Sequence, residues 1–221
     1  MKQTGLMFKG ELVRAILEGR KTQTRRVVKG VCHDNCIEVR PPSKTKAGMV
    51  THVLDAPKLG LCPMGNPGDL IYVRETWQHA NYPLGPFQEG TTVFYRADYL
   101  NDPHGPDGEK SPEGKYRHWQ PSIHMPKSAA RIWLEITGVR VERLQDISET
   151  DAIAEGIERV DDFFGCACWK AYGEPDGADV VCPDDPIGSF RSLWDSTGGD
   201  WQANPWVWVI DFKRTNKPAA N

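Results

Sequence analysis

The chain has 221 residues, and its 27 Lys plus Arg against 30 Asp plus Glu leave a net charge of −3, so any nucleic-acid contact must come from a local basic patch rather than a bulk footprint. Hydrophobic residues make up 39% and charged residues 26%, an ordinary globular profile, and no apolar run approaches the roughly 20 residues that span a bilayer. With 21 Gly, 17 Pro and 8 Trp, the composition excludes long helices as the main architecture.

In chain order, the first structured segment covers residues 4–26. Gly5-Leu6-Met7-Phe8 reads as a short strand. Residues 10–18 read as a helix with Leu12, Val13, Ile16 and Leu17 on one face and Glu11, Arg14 and Glu18 pointing away. Gly19 is its stop signal. Residues 20–28 form a basic, Thr-containing turn that runs into a strand. From 29 to 67 the chain lacks sustained periodicity, which predicts a long loop or small accessory element. Gly68-Asp69 then opens a β-prone stretch through Trp77. A second insertion, 82–126, is interrupted by the possible strand Thr92-Val93-Phe94-Tyr95-Arg96.

The segment 130–156 is the most legible. Ile132, Leu134 and Ile136 alternate with Trp133, Glu135 and Thr137, Gly138 permits a bulge, and Val139 and Val141 resume on the other phase. Ser148 starts a short helix with Asp151 at the capping-box position; Ala152, Ile153 and Ile157 give it an apolar side, and Gly156 ends it. A third insertion covers 158–186. Residues 189–196 read as a helix with Phe190, Leu193 and Trp194 inward. The last strand starts at Trp206, with Trp206, Trp208, Ile210 and Phe212 on one face and Val207 and Val209 on the other. The pattern predicts an α+β, mainly β fold: a small β-barrel or curled sheet with short helices at its ends and three long loop insertions, in one domain over residues 1–221.

The N-terminus has no apolar core of a secretory signal, so a cytoplasmic location and reduced thiols are expected. The six cysteines are Cys32, Cys36, Cys62, Cys166, Cys168 and Cys182. The C-x3-C around His33 and the later C-x-C permit a zinc reading, but paired knuckles are absent, and scattered loop thiols are the preferred expectation. No metal or cofactor is expected.

The densest polar cluster is Gly19-Arg20-Lys21-Thr22-Gln23-Thr24-Arg25-Arg26. Its cations and hydroxyls can bind a phosphate or polarise a carbonyl, although a solvated basic strand is the plainer reading. As an extended strand it puts Thr24 and Arg26 opposite Lys21 and Arg25; a turn near Gly19 would bring Lys21 and Thr24 together. Arg74 and Glu75 are adjacent charges in a β-prone stretch. Glu75 facing an open mouth would accept from a nucleobase amine with Arg74 or Tyr95 nearby, whereas a surface ion pair is the alternative. Trp77 is the better candidate for stacking a base; Trp206 and Trp208 are expected in the core.

The run Ile16-Leu17-Glu18-Gly19-Arg20-Lys21-Thr22-Gln23-Thr24-Arg25 resembles the opening motif of the ASCH domain family, whose fold is PUA-like. Gly68-Asp69-Leu70, Asp146-Ile147-Ser148 leading to Ala154-Glu155-Gly156, and the β segment before Phe212-Lys213 recur in that family's order. Arg74-Glu75-Thr76-Trp77 and Asn204-Pro205-Trp206-Val207-Trp208 resemble a phage- and prophage-encoded branch. The resemblance covers about half the chain and leaves out the three insertions. Small ASCH proteins are amidohydrolases that deacetylate N4-acetylcytidine with a Lys, a Thr and a Glu. The resemblance therefore implies Lys21, Thr24 and Glu155 as catalytic residues, with Arg20, Arg25, Arg26, Arg74, Glu75, Trp77 and Tyr95 as substrate-binding candidates.

Amide hydrolysis needs a nucleophile, a base and a proton donor. Lys21 could serve as base only with its pKa lowered from about 10.4. Neighbouring arginines and burial would lower it, and the preceding helix C-terminus would raise it. Glu155, at a helix C-terminus, is favoured as the acid form, the alternative being an exposed helix-end glutamate. The leading expectation is a protein that binds a modified nucleoside or RNA and hydrolyses the amide. The alternative is a non-catalytic module for single-stranded RNA or DNA. A third is a protein-interaction factor with the loops as its interface.

Overall fold

The computed structural model describes all residues except 40–48, 83–84, 101–118, 162–166, 174–179, 182–184 and 219–221. Strand β1 (Gln3–Met7) leads into helix α1 (Gly10–Leu17), which buries Leu12, Val13, Ala15 and Ile16 along the stripe its sequence spacing dictates. Gly19, at φ 79°, ends the helix in the left-handed conformation that favours glycine. Strand β2 (Gln23–Val27) follows. Then come β3 (Cys36–Val39) and β4 (Met49–His52), β5 (Leu70–Arg74), β6 (Trp77–His79), β7 (Val93–Tyr95) and the long β8 (Trp133–Arg143). The C-terminal third holds α2 (Glu149–Ala154), β9 (Arg159–Asp161), β10 (Ala167–Lys170), β11 (Val180–Val181), α3 (Pro186–Ser196) and β12 (Trp206–Thr215).

The main sheet has five strands in the order β1-β5-β8-β12-β2. Only β1 and β5 run parallel; the other neighbours are antiparallel. The expected bulge is present. Asp211 pairs with Gly138 and Phe212 with Ile136, leaving Thr137 as the extra residue, so β8 changes phase there. At β12 both faces are covered: Val207 and Val209 are as buried as Trp208, Ile210 and Phe212. The sheet is open, since no pairing joins its edges β1 and β2 among the described residues. The edges nevertheless meet through a side chain, as Arg26 Nη2 donates to the Met7 carbonyl at 3.1 Å.

Two expectations change. The insertions 29–67 and 158–186 are not wholly loop: β3 and β4 form an antiparallel pair, and β9, β10 and β11 form a three-stranded sheet. Residues 77–79 and 93–95 pair as β6 and β7 over a second cluster of Leu70, Trp77, Met125, Ala129, Ala130 and Trp133. Ile153, expected on the apolar side of α2, is exposed, while Ala152 and Ile157 are buried, because this short helix turns only one narrow stripe inward. No helix among the described residues is long and apolar enough to cross a membrane.

Candidate functional site

The turn after α1 is pinned by main-chain bonds from Lys21 N to Ala15 O (3.0 Å) and from Thr22 N to Ala154 O (2.9 Å), which bring it against the end of α2. Ser148 caps α2 by accepting from the Asp151 amide, as its sequence signature predicts. Gly156, at φ 87°, makes the approach possible, since a Cβ there would lie 2.7 Å from Lys21 Cβ. The result is a buried ion pair. Lys21 Nζ donates at 2.7 Å to each of Gln23 O, Glu155 O and Glu155 Oε2. Lys21 and Glu155 are 3% and 4% exposed, so Glu155 is not a surface helix-end glutamate.

Arg25 completes the cluster. Its guanidinium, without solvent exposure, donates to Glu155 Oε1 at 3.1 Å, to Gln23, to Glu142 and to Asp151. Burial pushes the Lys21 ammonium below its usual range; Glu155 opposes that shift, and Arg26 and Arg25 reinforce it. Partial burial raises Asp151, but the Gln23 hydrogen bond and the charges of Arg140 and Arg25 outweigh it and hold the carboxyl low. Thr24 is also buried, and its Oγ1 accepts from Arg26 Nη1 at 2.9 Å. Lys21 and Thr24 are therefore close in the chain yet engaged with different partners. With all three ammonium protons donated, Lys21 is a hydrogen-bond donor here; acting as a base would require releasing one of those bonds.

The network lies behind a cleft of about 510 Å³ at the seam between the sheet edges, lined by Met7, Phe8, Arg25, Arg26, Thr76 and Trp194 among others. Arg26 and Lys21 both stand over the Phe8 ring, at 5.3 and 5.8 Å. Arg20 is turned away from this cleft toward Glu18 and the Gly156 carbonyl.

The remaining candidates form a second network. Glu75, 1% exposed, accepts from Arg131 Nε (3.0 Å) and Nη2 (2.9 Å), and Arg131 also holds Asp98. Arg131 lies 4.0 Å over the Tyr95 ring, and Tyr95 donates to the Ala129 carbonyl at 2.7 Å. Burial pushes the Glu75 carboxyl up against the opposing effect of Arg131, and burial with the Glu75 charge pushes Tyr95 up to about 12. Arg74 is held by the Ile123 carbonyl. Trp77 is buried and packs edge-on to Phe87 at 5.3 Å, beside a smaller aromatic cleft of about 430 Å³ that also involves His79, Tyr82 and His124.

No family model and no curated protein matches the sequence. A solved structure described as an ASCH domain aligns with this chain. That solved structure, from Lactobacillus crispatus JV V101, is 12% identical, with 98% of this chain and 81% of that one covered at a TM-score of 0.35. So loose a correspondence carries neither fold nor function with it.

The structure thus brings Lys21, Glu155 and Arg25 into one contact network with Arg26 and Thr24 adjoining, and gathers Glu75 and Tyr95 around Arg131. Sequence reasoning missed Arg131, Glu142 and Arg140. The only available signal was polar residues at positions 140 and 142 within an otherwise β-patterned run. Cys32 is exposed, Cys36 is half-buried, and Cys62 and Cys168 are buried; Cys166 and Cys182 lie outside the described residues.

Proposed function

We propose that residues 1–221 form a single ASCH-type domain with a PUA-like fold, of the phage- and prophage-encoded branch, acting in the cytoplasm. Its ligand is a modified nucleoside or a single-stranded RNA or DNA segment held in the cleft at the β1–β2 seam. The observation that carries this reading is the composition of that cleft. Arg26 and the exposed Lys9 supply positive charge, Phe8 and Trp194 supply ring surface, and the volume of about 510 Å³ suits a nucleoside-sized ligand. Cations beside flat rings are the pairing that single-stranded nucleic acid requires.

Hydrolysis of an N4-acylated cytidine is the second reading, favoured by the buried Lys21–Glu155 contact and the lowered Lys21 ammonium beside Thr24. In that reaction Lys21 first passes a proton to Glu155 across their 2.7 Å contact, leaving an amine and a carboxylic acid. The Thr24 hydroxyl then attacks the acyl carbon as Lys21 takes its proton, and Glu155 passes its proton to the departing amine. Water then cleaves the acyl-threonine ester.

One experiment separates the two. Titration of the full chain with a labelled single-stranded RNA and with N4-acetylcytidine at low salt is expected to show binding of both, with that of the RNA weakening as salt rises. Arg26→Ala should cost about 1–3 kcal/mol of that binding. Absence of binding at low salt overturns the first reading; equal N4-acetylcytidine hydrolysis by wild type and Lys21→Ala overturns the second.

A further inference from the structure

The turn that enters the β3–β4 hairpin gathers metal-binding donor atoms. One donor atom each of Cys32, His33 and Asp34 lies within 4.8 Å of the others, and all three residues are exposed. Cys36 follows at the start of β3, and its thiol approaches the Asp34 carbonyl at 3.5 Å. The backbone already holds the two thiols at the ends of one closed turn. Cys32 N donates to Cys36 O at 2.9 Å, Asn35 N donates to Cys32 O at 3.0 Å, and Asn35 is left-handed at φ 57°.

The turn is also anchored from behind. Asn35 Oδ1 accepts from Trp206 Nε1 (2.8 Å) and Arg143 Nη2 (3.1 Å), and the Asn35 carbonyl accepts from Val53 N at 2.8 Å. Arg143 in turn stacks 4.4 Å over the Trp206 ring. The side-chain anchors thus come from β8 and β12 and the main-chain anchor from Val53, just after β4, while Cys32, His33 and Asp34 remain exposed to solvent.

We propose that this turn is a zinc site in which Cys32, Cys36 and His33 coordinate the ion and Asp34 orients the imidazole. Two sulfurs and one nitrogen match the donor preference of zinc, and water fills the fourth tetrahedral position. The Asp34 carboxylate already lies 3.2 Å from His33 Nε2, leaving Nδ1 for the metal in the carboxylate–histidine–metal arrangement. Donors around tetrahedral zinc sit about 3.4–3.8 Å apart, so Cys32 and His33, whose exposed donors lie within 4.8 Å, close by side-chain rotation, and the half-buried Cys36 thiol rotates in from the same turn to join them. On binding, each thiol gives its proton to solvent and no redox change occurs. The physical consequence is a staple: a two-stranded hairpin is marginal by itself, and the metal ties its entry turn.

The test uses the full chain, reduced and stripped with a chelator. Titration with Zn2+ against a colorimetric competitor should give one equivalent bound and a higher unfolding temperature. Co2+ in its place should give thiolate-to-metal charge-transfer absorption. Cys32→Ser and Cys36→Ser should each weaken zinc at least about 100-fold, and Asp34→Asn on the order of 10–100-fold. Cys62→Ala, a buried thiol outside the turn, should bind as wild type does. Circular dichroism confirms that each variant is folded. Failure to bind a stoichiometric equivalent, or unchanged affinity in the folded Cys32→Ser/Cys36→Ser double variant, overturns the site.

Discussion

Lys21 and Gly156 illustrate how much rests on single positions. The Lys21–Glu155 pair forms only because residue 156 has no Cβ to collide with Lys21 and Ala15 and can adopt φ 87°. Gly156→Ala introduces both the clash and left-handed strain, and should lower stability by about 1–3 kcal/mol. A denaturant midpoint that falls at unchanged m-value would record it. Replacing Lys21 acts differently. It leaves Arg25 on Glu155 Oε1, so the carboxylate keeps one cation while the Gln23 and Glu155 carbonyls lose their shared donor. At this scale the sequence showed which residue types were present, and the resemblance showed which to watch. Neither indicated that Lys21 would use all its protons on acceptors other than Thr24.

Among elements, the corner between β5 and β6 depends on Glu75 and Arg131. Removing one member of a buried pair costs more than removing both, because the survivor keeps its desolvation penalty without its partner. Arg131→Met should therefore destabilise by about 3–5 kcal/mol, and Glu75→Leu added to it should restore most of that loss. A double-mutant cycle measured by equilibrium unfolding checks this. The sign of its pH dependence also follows. Burial already raises the Glu75 carboxyl, so the folded state holds that proton more tightly than the unfolded chain. Losing Arg131 strengthens the effect, and the deficit should shrink as pH falls into the carboxylate range. The β8 bulge and the Ser148 cap were legible because each is a local pattern. The small sheets inside 29–67 and 158–186 were not, since strands as short as β9 and β11 carry too few residues to show a period.

The whole molecule is an open sheet whose edges are bridged by Arg26, with charge networks behind the seam. Asp151, held low by Gln23, Arg140 and Arg25, contributes stability above the unfolded carboxylate pKa, about 3.9, and loses it as pH falls through its lower folded value. Lys21 acts at the other end: its folded pKa is depressed, so stability rises with pH between that value and the unfolded one. Unfolding curves across the acid range should thus show wild type losing stability toward low pH. Asp151→Asn should be less stable at neutral pH, with a shallower slope, so that the two converge in acid. By itself the sequence determined the alternation of β8 and β12, the buried stripe of α1, the Ser148 cap and the local basic run, because each depends on residues a few positions apart. Tertiary structure decided which cations are buried and what they meet. Glu155 lies 134 residues from Lys21, and Arg131 lies 56 from Glu75. Pairing at such separations depends on which surfaces the fold removes from water, and no local spacing encodes that.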